Sequence, residues 1–387
     1  RELLTGYGPV AIVWFDTHND IRREGAERLL RLVRELQPRA LVSSRLGQGL
    51  GDYEDFRDGE IPVAGESKRP WEALFPLGES WGYSTLDQNF KSPAEIIRTL
   101  ATVAGQGGNM LLNIGPDATG RLPWAATSRM LAAGQWLRRN GESIYGTGPS
   151  PFGPMPWGTA TTRPGTLYLH VFERPRDGRL VLPETSLDVV SVTHGGEPLP
   201  WTHAGDSVHI TLPQNLPDAW DTVLTIRHRG AIRVARSAAI LGTMPVALDP
   251  FLAERAGQLA VLRQPSMGYF GVWSYFPTFA GMHSPRDNAT WRVNVLEPGD
   301  YRVTIEYIAS VEQAERTGSI EVGPQRLRFA VLESGELRAD RPPPFVTQRV
   351  GTLRFDKPGV QRIRLRPDTA GREPLFTFKE MRIEQMP

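Results

Sequence analysis

The chain has 387 residues, room for two or three domains. A hydrophobic fraction of 40% supports a sizeable core, and a net charge of +1 gives no general attraction to nucleic acid or anionic membrane. The absence of cysteine excludes disulfides, thiolate chemistry and cysteine-ligated metal, and no apolar run approaches the roughly 18 residues of a membrane span.

The first predicted strand, Val10–Phe15, ends at the bare carboxylate of Asp16 in "PVAIVWFD". It reads as a fully buried strand. Asp16 either closes the strand and opens a turn or is a catalytic group. A polar side chain at the C-terminal end of a parallel strand faces the mouth of a barrel, where active sites of that architecture lie. Trp14, two residues earlier, points to the same side. His18 reads as a loop residue rather than a ligand.

A helix follows over Ile21–Leu36, with Leu29, Leu30, Val33 and Leu36 on one side, and Pro38 ends it. Ala40–Ser44 is the second strand, with Arg45 at its tip. A long loop is predicted from Arg45 to about Glu79. It carries "KRPWEALFPLGESWGY", in which Glu72 has apolar neighbours. Such a setting raises a carboxyl pKa, as a general acid requires. Glu66 and Glu79 are rival acids in the same loop. Trp81–Ser84 is read as a short strand. "SPAEIIRTLATVAGQGG" opens a helix with Ser92 as N-cap, Pro93 in the first position and Glu95 completing a capping box. Asn109–Ile114 is a further strand, and a helix runs from about Pro123 to Arg139, stopping at Asn140-Gly141.

Four β–α units make half of a (β/α)8 barrel, with an open parallel sheet as the alternative. "GQGGN" precedes a strand rather than linking strand to helix, so it gives no phosphate loop. From Pro151 the pattern changes to short alternating strands such as "TLYLHVFER" and "TVLTIRHRG". Residues 151–232 read as one β-sandwich. Residues 233–387 read as a connector, over about Gly230–Gln258, and a second sandwich of carbohydrate-binding type. Its "EPGDY" and "DKPGV" turns are hairpin-like. The fold class is therefore α/β plus all-β, a partial (β/α)8 barrel followed by two β-sandwich domains. The stretch holding Tyr269, Phe270, Trp273, Tyr275, Phe276 and Phe279 is a sugar platform or a packing surface. Packing is favoured, because an exposed patch of that size would be sticky.

Six segments occur in order over residues 1–150: "GPVAIVWFD", "LQPRALVSSR", "GDYEDF", "RPWEALFPLGESWGY", "GGNMLLNIGPDATGRLP" and "WLRRNGESIYGT". Together they resemble the α-L-fucosidases of glycoside hydrolase family 29. The resemblance implies that Asp16 is the nucleophile and Glu72 the acid/base. It also implies that Arg45 contacts the sugar and that Trp14 and Trp81 line its pocket. The implied reaction is retaining hydrolysis of a fucosylated carbohydrate, with no metal and no cofactor, and two carboxyl groups roughly 5–5.5 Å apart. Residue 17 departs from the pattern, being Thr where many members carry Gly. About four further β–α units, bearing adjacent histidines and an aromatic that grip fucose, have no match here.

The readings left open are an active fucosidase, a non-catalytic carbohydrate-binding protein on a degenerate scaffold, and another retaining glycosidase, for example one acting on galactosides. Neither nucleic acid nor a membrane span is expected. The two open edges of a half-barrel invite association, so a homo-oligomer is admitted. The expected location is periplasmic or extracellular. Residues 1–387 alone are expected to be a poor fucosidase; a normal rate on an aryl α-L-fucoside would contradict this.

Overall fold

The computed structural model describes residues 1–16, 21–62, 66–183, 185–234, 239–268, 273–335, 338 and 344–386. His18, Tyr269 and Phe270 lie outside the described residues, as does the side chain of Trp273.

The N-terminal segment runs α1 (Glu2–Thr5), β1 (Ile12–Val13), α2 (Arg23–Leu36), β2 (Leu41–Val42), β3 (Glu54–Asp55), β4 (Trp71–Pro76), α3 (Pro93–Gly105), β5 (Asn109–Asn113) and α4 (Trp124–Asn140). All its strand pairs are parallel. β1 lies beside β2, β3 beside β4 and β4 beside β5, and a bridge from Ser43 to Tyr53 joins the two groups. Ala26 and Val33 of α2 are buried with Ala40 and Val42. The capping box of α3 forms as read: Glu95 N–H donates to Ser92 Oγ at 3.2 Å, and Ser92 N–H donates to the Glu95 carboxylate at 2.7 Å.

Three expectations are corrected here. The span from Arg45 to Glu79 is not one loop, because it contains β3 and β4. "WEALFP" buries Trp71, Ala73 and Phe75 on one face and pairs along its length with β5, which outweighs its flanking prolines. Gly108 is part of that packing, since a Cβ there would meet the Trp71 ring at 2.3 Å. Trp81–Ser84 is not a strand. The chain there is wound around Asp87, whose Oδ2 accepts from Glu79 N–H, Ser80 N–H and Ser80 Oγ–H at 2.8–2.9 Å. The strand before α3 is therefore β4, and no α-helix stands between β2 and β3. Finally, only Ile12–Val13 of the first strand is paired. Ile12 and its neighbour Leu41 remain 47% and 48% exposed, so that strand is not fully buried.

The next strands are β6 (Gly158–Arg163), β7 (Thr166–Val171), β8 (Arg179–Leu182), β9 (Asp188–His194), β10 (Glu197–Pro198), β11 (Trp201–Ala204), β12 (Ser207–Thr211) and β13 (Thr222–Arg229). They form an antiparallel sheet ordered β10-β9-β13-β7-β6 and another ordered β11-β12-β8. One apolar cluster takes residues from both, including Leu167, Leu169, Leu180, Val208 and Ile226. β7 is buried on both faces. Its odd-numbered Leu167, Leu169 and Val171 enter that cluster. Its even-numbered Tyr168 packs with Ile97 of α3 and Trp136 of α4. Arg98 of α3 reinforces the junction by donating to the carbonyls of Trp220 and Phe172, each at 2.8 Å.

The remaining strands are β14 (Ala239–Leu241), β15 (Val246–Leu248), β16 (Glu254–Ala256), β17 (Ala260–Met267), β18 (Trp273–Ala280), β19 (Asn288–Val295), β20 (Gly299–Ile308), β21 (Thr317–Val322), β22 (Gln325–Ala330), β23 (Val346–Phe355), β24 (Gly359–Pro367) and β25 (Thr377–Gln385). One sheet is ordered β14-β19-β24-β21-β22, with β16 on β19. The other is ordered β17-β18-β25-β20-β23, with β15 on β25. A shared core contains Trp291, Ile320 and Ile363 from the first and Phe279, Tyr301 and Phe378 from the second. The region read as a connector thus supplies strands to both sheets.

The two Pro-Gly turns are not hairpins. β19 pairs with β24 while β20 pairs with β23, so "EPGDY" and "DKPGV" each carry the chain from one sheet to the other. The turn residues are right; the partner is set by which apolar face each strand buries. The aromatic stretch packs where it is described. Phe279 stacks on Phe378 with ring centroids 5.2 Å apart, and Phe276 meets Phe345 edge-on at 5.1 Å.

At the helix–sheet junction His170 Nδ1 and Asp221 Oδ2 are 2.7 Å apart, and neither side chain is exposed. Trp136 Nε1–H donates to the Asp221 carbonyl at 3.1 Å. Removing one partner of a buried pair strands the other. Asp221→Ala should therefore cost about 3 kcal/mol of stability, measured as a lowered denaturant midpoint. An unchanged midpoint would show that the pair is dispensable.

Candidate active site

The site is a matter of register across parallel strands. Val13 is abreast of Val42, and Asp16 and Arg45 follow that pair at equal distance along their chains. Ser43 is abreast of Tyr53, which brings Arg45 level with Asp55. Asp55 is directly paired with Glu72. Asp16, Arg45, Asp55 and Glu72 therefore share one level, although Asp16 lies beyond its strand and Glu72 near the start of its own.

Arg45 occupies the centre, on a short 3-10 turn, Ser44–Leu46. Its Nη1 donates to Asp16 Oδ1 at 3.0 Å and its Nη2 to Asp58 Oδ1 at 2.5 Å, while Nε lies 3.1 Å from Asp55 Oδ2. The guanidinium also lies over the Trp14 ring, 4.7 Å from its centroid. The same indole donates its N–H to Glu72 Oε1 at 2.7 Å. Asp16 is the most open of these acids, with a side chain 60% exposed, whereas the Asp55 side chain is fully buried.

The backbone around Arg45 is held by short polar contacts. Phe15 N–H donates to Ser43 Oγ at 3.1 Å, and Asp55 N–H donates to Ser44 Oγ at 2.9 Å. Gly51 lies at φ +109°, and a Cβ there would come within 2.8 Å of the Ser43 carbonyl oxygen. That close approach brings β3 beside the 3-10 turn.

Burial pushes the Asp55 carboxyl up to about 6, against the lowering influence of Arg45, and the Glu72 and Asp58 charges add to the rise. Burial also opposes the charge on Arg45, yet the Asp58 and Asp55 carboxylates more than offset it and raise its pKa. Burial, followed by the Glu72 carboxylate, pushes the Tyr53 phenol up, so it stays protonated. The group thus contains an exposed carboxylate tied to an arginine and a second carboxyl tied to an indole N–H. Those are the parts that acid/base and nucleophilic work on a glycosidic bond requires.

Four of the five residues singled out from sequence, Trp14, Asp16, Arg45 and Glu72, are brought together. Trp81 stands on the neighbouring loop, where its carbonyl accepts from Asn113 Nδ2 at 2.5 Å. Among the described residues, it takes no part in the hydrogen bonds and ring contacts of the Asp16 group. Of the rival acids, Glu66 pairs with Arg263 and Glu79 accepts from Asn89 Nδ2 at 2.8 Å. Tyr53, Asp55 and Asp58 were not anticipated. For the first two the signal was the alternation of Tyr53 and Asp55 in "GDYEDF", which puts both on one face of a strand; Asp58 lies beyond that stretch and had no such signal.

Residues 1–142 match the family model for α-L-fucosidase. The chain is therefore similar to the α-L-fucosidase family over this segment. It is similar to an α-L-fucosidase of Dictyostelium discoideum, 41% identical over 117 residues, which are 29% of this chain and 25% of that protein. It is also similar to a tissue α-L-fucosidase of Rattus norvegicus, 30% identical over 254 residues, 58% of this chain and 54% of that one. The chain thus spans between a quarter and about half of the length of these curated relatives. Among solved structures, an α-L-fucosidase from Vibrio sp. strain EJY3 superposes over 99% of this chain and 68% of its own, with TM-score 0.71 and 22% identity, a likeness of fold. The family 29 α-L-fucosidase of Bacteroides thetaiotaomicron, trapped as a covalent intermediate with 2-fluoro-fucosyl fluoride, matches 59% of each chain at TM-score 0.55 and 25% identity.

The raised Asp55 pKa fixes the sign of a pH effect. Between its ordinary value near ~4 and about 6, folded Asp55 holds a proton that the unfolded chain has released. Its contribution to stability is therefore largest at low pH and is lost as pH rises through about 6. Asp55→Asn, which cannot ionise, should gain in stability relative to wild type over that interval, as read by melting temperatures at stepped pH. A parallel pH dependence in the two proteins would contradict the assignment.

Proposed function

We propose that this chain forms part of a retaining exo-α-L-fucosidase, in which Asp16 attacks the anomeric carbon and Glu72 protonates the leaving oxygen. Water, activated by Glu72, then releases fucose. The observation that carries this reading is the joining of Asp16 and Glu72 through Arg45 and Trp14. The covalent intermediate trapped in the Bacteroides thetaiotaomicron enzyme supports the double displacement. Arg45 is assigned to contact the sugar, and Trp14 and Trp81 to line its pocket. The substrate is a fucosylated glycan or glycoside.

For the architecture we propose a partial (β/α)8 barrel over residues 1–150, a β-sandwich over 151–232, and a carbohydrate-binding-type sandwich over 233–387 that takes in the strands of the region read as a connector. The parallel strands flanked by helices support the first. The exposed apolar side chains of Ile12 and Leu41 suit further strands beside β1. The shared apolar clusters support the two sandwiches.

The test uses the intact protein and 4-nitrophenyl α-L-fucoside. Asp16→Gly should lower kcat by more than about a thousand-fold. Glu72→Gln should lose far more activity on poor leaving groups than on activated ones, because only the former need protonation. Proton NMR of the first product should show the α-anomer, as retention demands. Undiminished turnover in Asp16→Gly would remove it as nucleophile, and initial β-fucose would overturn the mechanism.

A further inference from the structure

The C-terminal unit reaches the candidate site through one face of the β17–β18 pair. Arg263 of β17 is abreast of Pro277, and Tyr275 of β18 is abreast of Pro265, so Arg263 and Tyr275 lie on the same face. Both meet the turn that follows β3. Arg263 pairs through Nε with Glu60 and through Nη2 with Glu66, and its guanidinium lies 4.7 Å from the Phe251 ring centroid. Arg57 lies over the Tyr275 ring at 5.5 Å. Glu60 is nearly buried and also faces Arg57 at 3.5 Å.

The gripped turn is short. It leaves β3 where Phe56 N–H donates to the Glu72 carbonyl at 3.1 Å, and it closes where Glu60 N–H donates to the Arg57 carbonyl at 3.0 Å. Gly59 N–H fastens it to the Leu74 carbonyl at 2.8 Å. Between the two gripped residues stands Asp58, whose carboxylate binds Arg45 at 2.5 Å. A path of direct contacts therefore runs from β17–β18 through Glu60 and Arg57 to Asp58, Arg45 and Asp16.

We propose that Arg263 and Tyr275 are positioning residues for the Asp16 site: they clamp the Arg57–Glu60 turn so that Asp58 holds Arg45 in place beneath Asp16. The C-terminal unit is then a working part of the active site, whatever sugar its other surfaces bind. This inference rests on the fucosidase reading above. A paired cation suits the clamp, because two carboxylates brought together at Glu60 and Glu66 would otherwise repel each other and open the turn.

The experiment compares wild type, Arg263→Met, Arg263→Lys, Tyr275→Leu and Arg362→Met in the intact protein with 4-nitrophenyl α-L-fucoside. Arg362 forms an exposed pair with Glu254 in the same unit and serves as the control. Loosening the clamp by ~1 Å should lower kcat roughly 10- to 100-fold. KM should move much less, and the melting temperature of Arg263→Met should fall below that of the control because the nearly buried Glu60 loses a partner, so kcat is read well below the unfolding transition. Arg263→Lys should recover part of the loss. In an Asp58→Asn background Arg263→Met should cost nothing further, because both act through one contact. Tyr275→Leu keeps the test decisive if Arg263→Met does not fold. Normal kcat in Arg263→Met or Tyr275→Leu beside an active wild type would overturn this inference alone. So would losses additive with Asp58→Asn. A wild type that turns over no α-L-fucoside would overturn the fucosidase reading and this inference with it.

Discussion

One guanidinium lies among three carboxylates from two separate segments. Arg45 binds Asp16 beyond β1, Asp55 on β3 and Asp58 on the turn after it. In a partly buried setting such contacts are stronger than in water, but each buried charge is costly if left alone. The fully buried Asp55 side chain makes that cost acute, and its raised pKa records it. Moving Arg45 would leave a carboxylate stranded in the core, so its position is fixed from below while Asp16 stays open above. The rest of the site is arranged around that fixed cation.

Much of this was legible because strand geometry constrains side chains tightly. Asp16, Trp14 and Arg45 follow from where a parallel strand ends and which way alternate residues face. Glu72 was found, but its setting was misjudged. It lies at the second position of β4, not on a loop. The stagger between neighbouring strands lifts the start of β4 to the level reached beyond the end of β1, and stagger is a property of the assembled sheet that one segment cannot reveal. Asp55 and Asp58 were missed for a different reason. The run "GDYEDFRDGE" is dense in acids, and a single sequence does not say which of them is inside. Asp55 is buried only because Gly51 lets the chain pass close to Ser43 and Arg45 is there to receive the charge.

The β-rich remainder shows the same division between local and non-local information. Alternation marked most strands and Pro-Gly marked turns, yet "EPGDY" joins strands of opposite sheets. A turn fixes the change of direction; the apolar faces of β19 and β20 decide the partners. The coupling between units was equally hidden. β7 is buried along its whole length because it serves two neighbours, its odd residues facing the small sheet and Tyr168 facing α3 and α4. Arg98 closes that junction through backbone carbonyls, which are the same whatever side chains they carry.

Trp14 explains how two acids on different strands are kept in step. Double displacement is sensitive to the separation of its two carboxyl groups, because one must reach carbon while the other reaches the leaving oxygen. Long flexible side chains are poor spacers. An indole has only two rotatable bonds and a rigid frame with a single polar edge. Here its face lies against Arg45, which holds Asp16, and its N–H holds Glu72. Both acids are thereby tied to one ring-and-arginine pair. The substitution that separates these effects is Trp14→Phe, which keeps an aromatic face for Arg45 and removes only the donor to Glu72. Its activity should fall most with leaving groups that need a proton, while affinity for fucose itself changes little. Equal losses on activated and poor leaving groups would instead assign Trp14 to the sugar wall alone.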